Sequence, residues 1–192
     1  PYHLCSDLIK SLYKDRYGNL WIGTGKGVCI LNLKGNPFSK VSLFGNSQVR
    51  HRLTGIVPSS NPNKVWLSSN GIFQEGIQSI LSSRVYSSTN SAVGDFVTSI
   101  YAANKGSIWI GYWNKGLGRM NPRTGKVQNY TIINSARKEA EQDLKKYPIV
   151  VISESLDGQR IWAGTRGNGV FELSYDSDKD SLFLVNHFYL DS

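Results

Sequence analysis

The run Leu12-Tyr-Lys-Asp15-Arg-Tyr-Gly18-Asn-Leu-Trp21-Ile-Gly23-Thr24-Gly-Lys-Gly27-Val28 decides the fold, because the chain comes back to it three more times. The second copy is Val57-Pro-Ser-Ser-Asn-Pro-Asn-Lys-Val-Trp66-Leu-Ser-Ser-Asn-Gly71. The third is Ile100-Tyr-Ala-Ala-Asn-Lys-Gly106-Ser-Ile-Trp109-Ile-Gly111-Tyr-Trp-Asn-Lys-Gly116. The fourth is Ile152-Ser-Glu-Ser-Leu-Asp157-Gly158-Gln-Arg-Ile-Trp162-Ala-Gly164-Thr165-Arg-Gly-Asn-Gly169. Trp21, Trp66, Trp109 and Trp162 are spaced by 45, 43 and 53 residues. A period of about 40–50 residues with one tryptophan per unit is that of a four-stranded propeller blade.

Each unit divides into strands. Ile9, Ser11 and Tyr13 alternate with Leu8, Lys10, Leu12 and Lys14 as in an inner strand, and Gly18 supplies the positive φ of the turn that follows. Leu20 to Thr24 and Val28 to Leu33 make the middle strands, and Lys40 to Phe44 the outer one. The pattern predicts an all-β chain: one partial β-propeller over 1–192, with antiparallel blades at about 8–44, 53–87, 96–132 and 149–188. The long last step has its own cause. Ser135 to Tyr147 lacks glycine and β-branched residues, Ala136, Ala140, Leu144 and Tyr147 fall on one face, and Glu141 and Lys145 form an i,i+4 pair. It predicts one short helix over 135–147, capped by Ser135 and stopped by Pro148.

Composition agrees with many short, turn-joined strands. There are 192 residues with 19 glycines, five tryptophans, ten tyrosines and seven phenylalanines, and 40% of the chain is hydrophobic. The chain is long enough for a real core and short for two domains. No apolar stretch approaches the roughly 18 residues that a spanning helix needs. No signal peptide is recognisable, and a start at Pro1 fits an excised or processed piece. Twenty-two basic against fourteen acidic residues give a net charge of +8, which favours anionic partners without choosing among them. Cys5 and Cys29 have no metal spacing, and the count leaves their pairing open.

The pattern hydrophobic-x-x-Asp-x-x-Gly-Asn-Leu-Trp-Ile-Gly-Thr-x-x-Gly closely resembles the two-component regulator propeller repeat. The first copy, Asp15 to Gly27, nearly reproduces it, and the fourth, Asp157 to Gly169, is good. The third has Asn104 for the aspartate and Tyr112 for the threonine. The second keeps Trp66 and Gly71 but lacks the aspartate, the turn glycine and the Gly-Thr pair. The resemblance implies the periplasmic sensor region of a hybrid two-component histidine kinase of Bacteroides-type bacteria. Such parents carry two consecutive propellers of about seven blades each, a small β-sandwich, one membrane span, a kinase, a receiver and often a DNA-binding domain. Related sensors detect oligosaccharides and regulate transcription through a phosphorelay; related propellers also precede diguanylate cyclases. Four blades are about half of one such propeller, so the outer faces of blades one and four are expected to be exposed. Self-association, or closure by four blades alone, would follow.

The chemistry is weighed against packing. The four repeat tryptophans hold one place in the repeat and are read as core between blades. Gly23-Thr-Gly25-Lys-Gly27 lacks the Gly-Lys-Ser/Thr ending and a following helix, so it is a hairpin turn, not a phosphate loop. Asp176-Ser-Asp178-Lys-Asp180 begins like a calcium loop, but Ser181 and His187 stand where glycine and glutamate are needed; a solvated turn is the better reading. His3, His51 and His187 show no zinc spacing, no nucleophile motif is present, and no cofactor is expected. The basic residues form no dense run of the kind nucleic acid requires.

Loops joining the second and third strands of a blade share a face with loops joining successive blades. The first kind brings Lys26, Asn70, Tyr112 to Lys115, and Arg166 to Asn168; the second brings Gln48 to Arg52 and the segment around Asp95. Arginine forks bind carboxylate or sulfate, aromatic faces stack on sugar rings, and amides pair with hydroxyls. The expected ligand-binding rim is therefore Arg50, His51, Arg52, Trp113, Lys115, Arg166 and Asn168, facing an oligosaccharide, and the positive charge mildly favours an acidic one. Two other readings compete. One is a passive dimerisation or packing scaffold; the other is a propeller-fold glycan lyase or hydrolase, which would need two essential carboxylates or His51.

Overall fold

Each copy of the repeat folds into its own antiparallel sheet. The computed structural model describes residues 4–31, 38–41, 53–61, 64–69, 72–75, 85–86, 96–130, 132–135 and 142–190. Blade one is β1 (Ile9–Lys14), β2 (Leu20–Thr24), β3 (Gly27–Leu31) and β4 (Phe38–Val41), in that order across the sheet. Blade two is β5 (Leu53–Pro58), β6 (Val65–Ser69), β7 (Ile72–Glu75) and β8 (Val85–Tyr86). Blade three is β9 (Val97–Ala102), β10 (Ile108–Tyr112), β11 (Leu117–Met120) and β12 (Val127–Tyr130). After β13 (Ile132–Ser135) and β14 (Gln142–Asp143) comes blade four: β15 (Ile149–Glu154), β16 (Arg160–Thr165), β17 (Val170–Asp176) and β18 (Ser181–Phe188). The inner strands pack in series, β1 on β5, β5 on β9 and β9 on β15. That is a propeller arc.

Strand alternation sends each repeat tryptophan to the face that meets the next blade. Trp21 lies opposite Tyr13 and Ile30 and packs with Leu53, Ile56, Val65 and Leu67 of blade two. Trp66 packs on Val97 and Ile100 of blade three, and Trp109 on Ile152, Ile161 and Ala163 of blade four. The glycine two residues beyond the tryptophan has a steric cause. A Cβ at Gly23 would press on Ser11 and lie 3.3 Å from Ile56 of blade two. One at Gly111 would strike the Ile149 carbonyl of blade four. At these two positions only glycine leaves room for the side chains and neighbouring strand that close in. In the degenerate second copy Ser68 stands there, and its hydroxyl is 2.8 Å from that of Thr54 in the same blade.

The repeat aspartate and threonine hold the turns. Asp15 accepts from the Tyr17 and Asn19 amides, from the Asn19 side chain and, at 3.0 Å, from the Trp21 indole. Burial opposes its charge, but these donors outweigh burial and hold its carboxyl below the usual carboxylate range. Gly18, Gly106 and Gly158 close the equivalent turns at φ 85°, 79° and 71°. In copy three Asn104 replaces the aspartate, and Glu154 of blade four takes over: Oε2 accepts from the Asn104 amide at 2.7 Å and Oε1 from the Trp109 indole at 3.5 Å. Thr24 and Thr165 donate to the carbonyls of Gly27 and Gly169, closing the hairpins between the second and third strands.

The helix expected over 135–147 is not what the described part of that segment forms. Ser135 ends β13, Gln142 and Asp143 form β14, and Leu144–Lys146 make one 3-10 turn; residues 136–141 lie outside the described ones. Blade four gains two strands in this way, in the order β14-β13-β18-β17-β16-β15. β13 runs parallel to β18, with Asn134 beside Phe183 and Ser135 beside Leu184. Pairing of the β-branched Ile132 and Ile133 with β14, and complete burial of Leu144 in the core of blades three and four, override a weak local helix preference.

The arc has two different ends. No contact comparable to those between neighbouring blades joins β1 to β15 among the described residues. On blade one, a disulfide between Cys5 and Cys29 pins the N-terminal segment over the outer face, where Ile22 and Cys29 are buried although Leu12 stays 61% exposed. On blade four, Val151, Gly164, Val170 and Phe188 align across the outer face, and Val151 and Phe188 are 58% and 55% exposed. Trp162 lies on this same face and is only half-buried. The fourth repeat tryptophan is thus less deeply buried than Trp21, Trp66 and Trp109, and no described residue packs a further blade against it.

Candidate functional site

Where the structure describes them, the turns between second and third strands and the lead-ins to the inner strands share one face of the arc. Three equivalent backbone bonds tie the turn between second and third strands to the residue leading into the inner strand: Gly25 to Leu8, Trp113 to Phe96 and Arg166 to Pro148, each 2.9 Å from amide to carbonyl. Both kinds of loop therefore sit together. At the seam of blades three and four the backbone is further fixed, since the Ile149 carbonyl accepts from Thr98 at 2.6 Å and from Ser99 at 2.9 Å.

On that seam the structure brings Trp113 and Arg166 together. Trp113 is 37% exposed, the Phe96 ring meets it edge-on at 6.2 Å, and the Arg166 guanidinium lies 5.3 Å from its ring centre. A guanidinium stacked on an indole keeps its in-plane N–H groups pointing outward, available for an anion or a hydroxyl. Lys115 lies nearby in sequence with its ammonium 5.7 Å over the ring of Tyr112, which is buried. Asn168 is anchored through its main chain: its amide donates to Thr165, and its carbonyl is 2.8 Å from His187 Nε2. His187 in turn stacks on Phe171 at 4.1 Å, which gives this histidine a packing role. Arg50, His51 and Arg52 lie outside the described residues.

A second polar cluster, on the opposite face, escaped the sequence reading. Asp180 sits in the hairpin between β17 and β18 with φ 46°, the one non-glycine residue with positive φ among the described residues. Its Oδ1 accepts from the hydroxyls of Tyr130 and Tyr175, and Arg119 lies 3.7 Å away while donating to the Tyr175 hydroxyl at 2.7 Å. Arg119 also stacks over Tyr175 and Trp109. Burial first, then Asp180, pushes Tyr130 well above the usual phenol range, and the same causes push Tyr175 up to about 12. Both phenols therefore stay protonated donors. Residues about 50 apart in sequence meet here, which no local motif announces. The remainder of the Asp176–Asp180 turn is an ordinary hairpin: Asp176 accepts from the amides of Asp178 and Lys179. Among the described residues no group of three or more histidine, cysteine, aspartate and glutamate side chains is placed to hold a metal ion.

Residues 3–26 match the family model described as Two component regulator propeller. The match covers the first repeat, and the structure shows the other three copies as blades of the same kind. The extracellular domain of the hybrid two component system BT3049 from B. thetaiotaomicron superposes with a TM-score of 0.67 at 23% identity, over 93% of this chain and 23% of that one. The corresponding domain of BT4673 gives 0.55 at 14% identity, over 97% and 29%. PorZ of Porphyromonas gingivalis, a surface component of the type-IX secretion system, gives 0.67 at 14% identity, over 94% and 27%. These likenesses establish the propeller fold. The chain spans 23% and 29% of the lengths of the two extracellular domains. No curated protein matches the sequence. No helix among the described residues is long and apolar enough to cross a membrane.

Proposed function

We propose that this chain is an extracytoplasmic ligand-sensing propeller segment of a two-component sensor, and that its ligand is an oligosaccharide met at the Trp113 rim. It is read as a binding segment, with catalysis left to a kinase elsewhere in the parent. The observation that carries the reading is the Arg166 guanidinium stacked on exposed Trp113 across the seam of blades three and four. That pair offers an aromatic surface and a bidentate fork on a rigid backbone, which is the chemistry of an acidic or sulfated sugar. The Two component regulator propeller match supports the sensor context. The Cys5–Cys29 disulfide supports an oxidising compartment such as the periplasm. Because the pair joins two blades, a ligand bound there favours one arrangement of the seam over another, which is what signal transmission requires.

Calorimetric titration with sulfated, uronic-acid-containing and neutral oligosaccharides tests the proposal. Saturable binding weakened about tenfold or more by Trp113→Ala and by Arg166→Ala is expected, the size of a hot-spot truncation. Binding that both substitutions leave unchanged would remove the rim from the account. A second reading, a packing or homodimerisation scaffold, is favoured by the bare face of Val151, Val170 and Phe188 on blade four. It predicts concentration-dependent self-association abolished by Val151→Lys while rim substitutions have no effect.

A further inference from the structure

The face opposite the rim carries a cleft of about 450 Å³ at the seam of blades three and four, lined by Ser107, Arg119, Asn121, Lys126, Val127, Gln128 and Asp180. Six of its seven lining residues carry a hydrogen-bonding group, and the wall between those groups is largely carbon. Asp180 is held by two tyrosine hydroxyls and Arg119, so its charge is matched within the wall. Lys126 then remains as the uncompensated cation, with no ion pair among the described residues. Asn121 spends its carbonyl oxygen on the amides of Arg123 and Thr124, which leaves its side-chain N–H groups as donors. Gln128 and Ser107 add groups that both donate and accept, while the Val127 side chain turns away to pack on the core of blades two and three.

One net positive charge and several amide and hydroxyl groups, set in a wall that is otherwise carbon, match a sugar ring bearing a single carboxylate. We propose that this cleft binds a uronate residue, with its carboxylate at Lys126 and Arg119 and its hydroxyls at Asn121, Gln128 and Ser107. A neutral hexose fits the same space but leaves the lysine without its counter-charge. The site lies away from Trp113 and is independent of the rim reading.

The test is an NMR titration of the 1–192 chain with methyl β-glucuronide and, separately, methyl β-glucoside, following backbone amides. Saturable shifts at Lys126, Gln128 and Arg119 are expected with the glucuronide, with affinity about tenfold lower for the glucoside and for Lys126→Gln, the loss of one charge-assisted contact. Gln128→Ala, on the same exposed rim of the cleft, should weaken both sugars, and Trp113→Ala should leave the titration of the Lys126, Gln128 and Arg119 amides unchanged. Equal affinity for the two sugars, indifference to Lys126→Gln, or shifts confined to residues 112–116 and 165–169 would overturn the proposal. Absence of saturable shifts would do the same.

Discussion

Trp109 and Trp162 hold the same place in successive blades, and only one of them is covered. Trp109 is 1% exposed, between Tyr130, Tyr175 and the apolar face of blade four. Trp162 points the same way from blade four, meets no further blade among the described residues, and is half-buried between Ser153 and Glu172 on the neighbouring strands. The repeat therefore encodes a half-interface: a tryptophan and a glycine on one blade, an inner strand on the next. Stability in such an array is a sum of blade terms and neighbour terms. Among the described residues, blade four has a neighbour term on one side alone, towards blade three.

The comparison breaks first at the tryptophans. Trp109→Ala should cost about 3–5 kcal/mol in urea unfolding, as for other buried aromatic truncations, and Trp162→Ala less than half of that. Equal costs would mean that blade four is covered after all. Next comes the other end of the arc, where the chain covers its own outer face. Cys5→Ser opens a cross-link spanning 24 residues and should lower stability by about 3 kcal/mol. Indifference to it would show that the N-terminal segment adds nothing to blade one.

The glycines sharpen the same contrast. A Cβ at Gly111 meets the main-chain carbonyl of Ile149 in the next blade, whereas one at Gly164 meets only the Val151 side chain of its own sheet. Gly111→Ala should cost about 1–3 kcal/mol, and Gly164→Ala distinctly less, because a side chain at an open face can move. The smallest effect is at the turn aspartate. Asp15→Asn should cost about 1 kcal/mol at neutral pH, by loss of charge-assisted acceptors. Because the Asp15 carboxyl is held below its ordinary value in the fold, its contribution is complete above the unfolded value of about 4 and fades as pH falls through the lowered folded one. The gap between wild type and Asp15→Asn should thus be flat from neutral to mildly acidic pH and close on further acidification.

How much of this was legible depends on distance along the chain. Asp15, Gly18, Trp21, Gly23, Thr24 and Gly27 lie within one repeat, and each has a local or neighbour-blade duty that repetition reveals. The shared face of Trp113 and Arg166 was readable for the same reason, since blade topology places those turns. The segment after blade three misled because its composition favours helix, whereas the edge of β18 and the pocket for Leu144 decide its fate. The Asp180 cluster was invisible, because Tyr130 and Arg119 reach it only once two blades have packed. Pairing of Cys5 with Cys29 was equally beyond spacing rules, since it depends on the N-terminal segment crossing the outer face.

The most direct measurement is a fluorine NMR spectrum of the chain labelled with fluorotryptophan, recorded against increasing concentrations of a soluble paramagnet. Dilute protein should show strong broadening of the Trp113 and Trp162 signals and protection of Trp21, Trp66 and Trp109. If Trp162 were protected as well as Trp109 at every protein concentration, or Trp109 broadened as readily as Trp162, the open fourth blade would be contradicted.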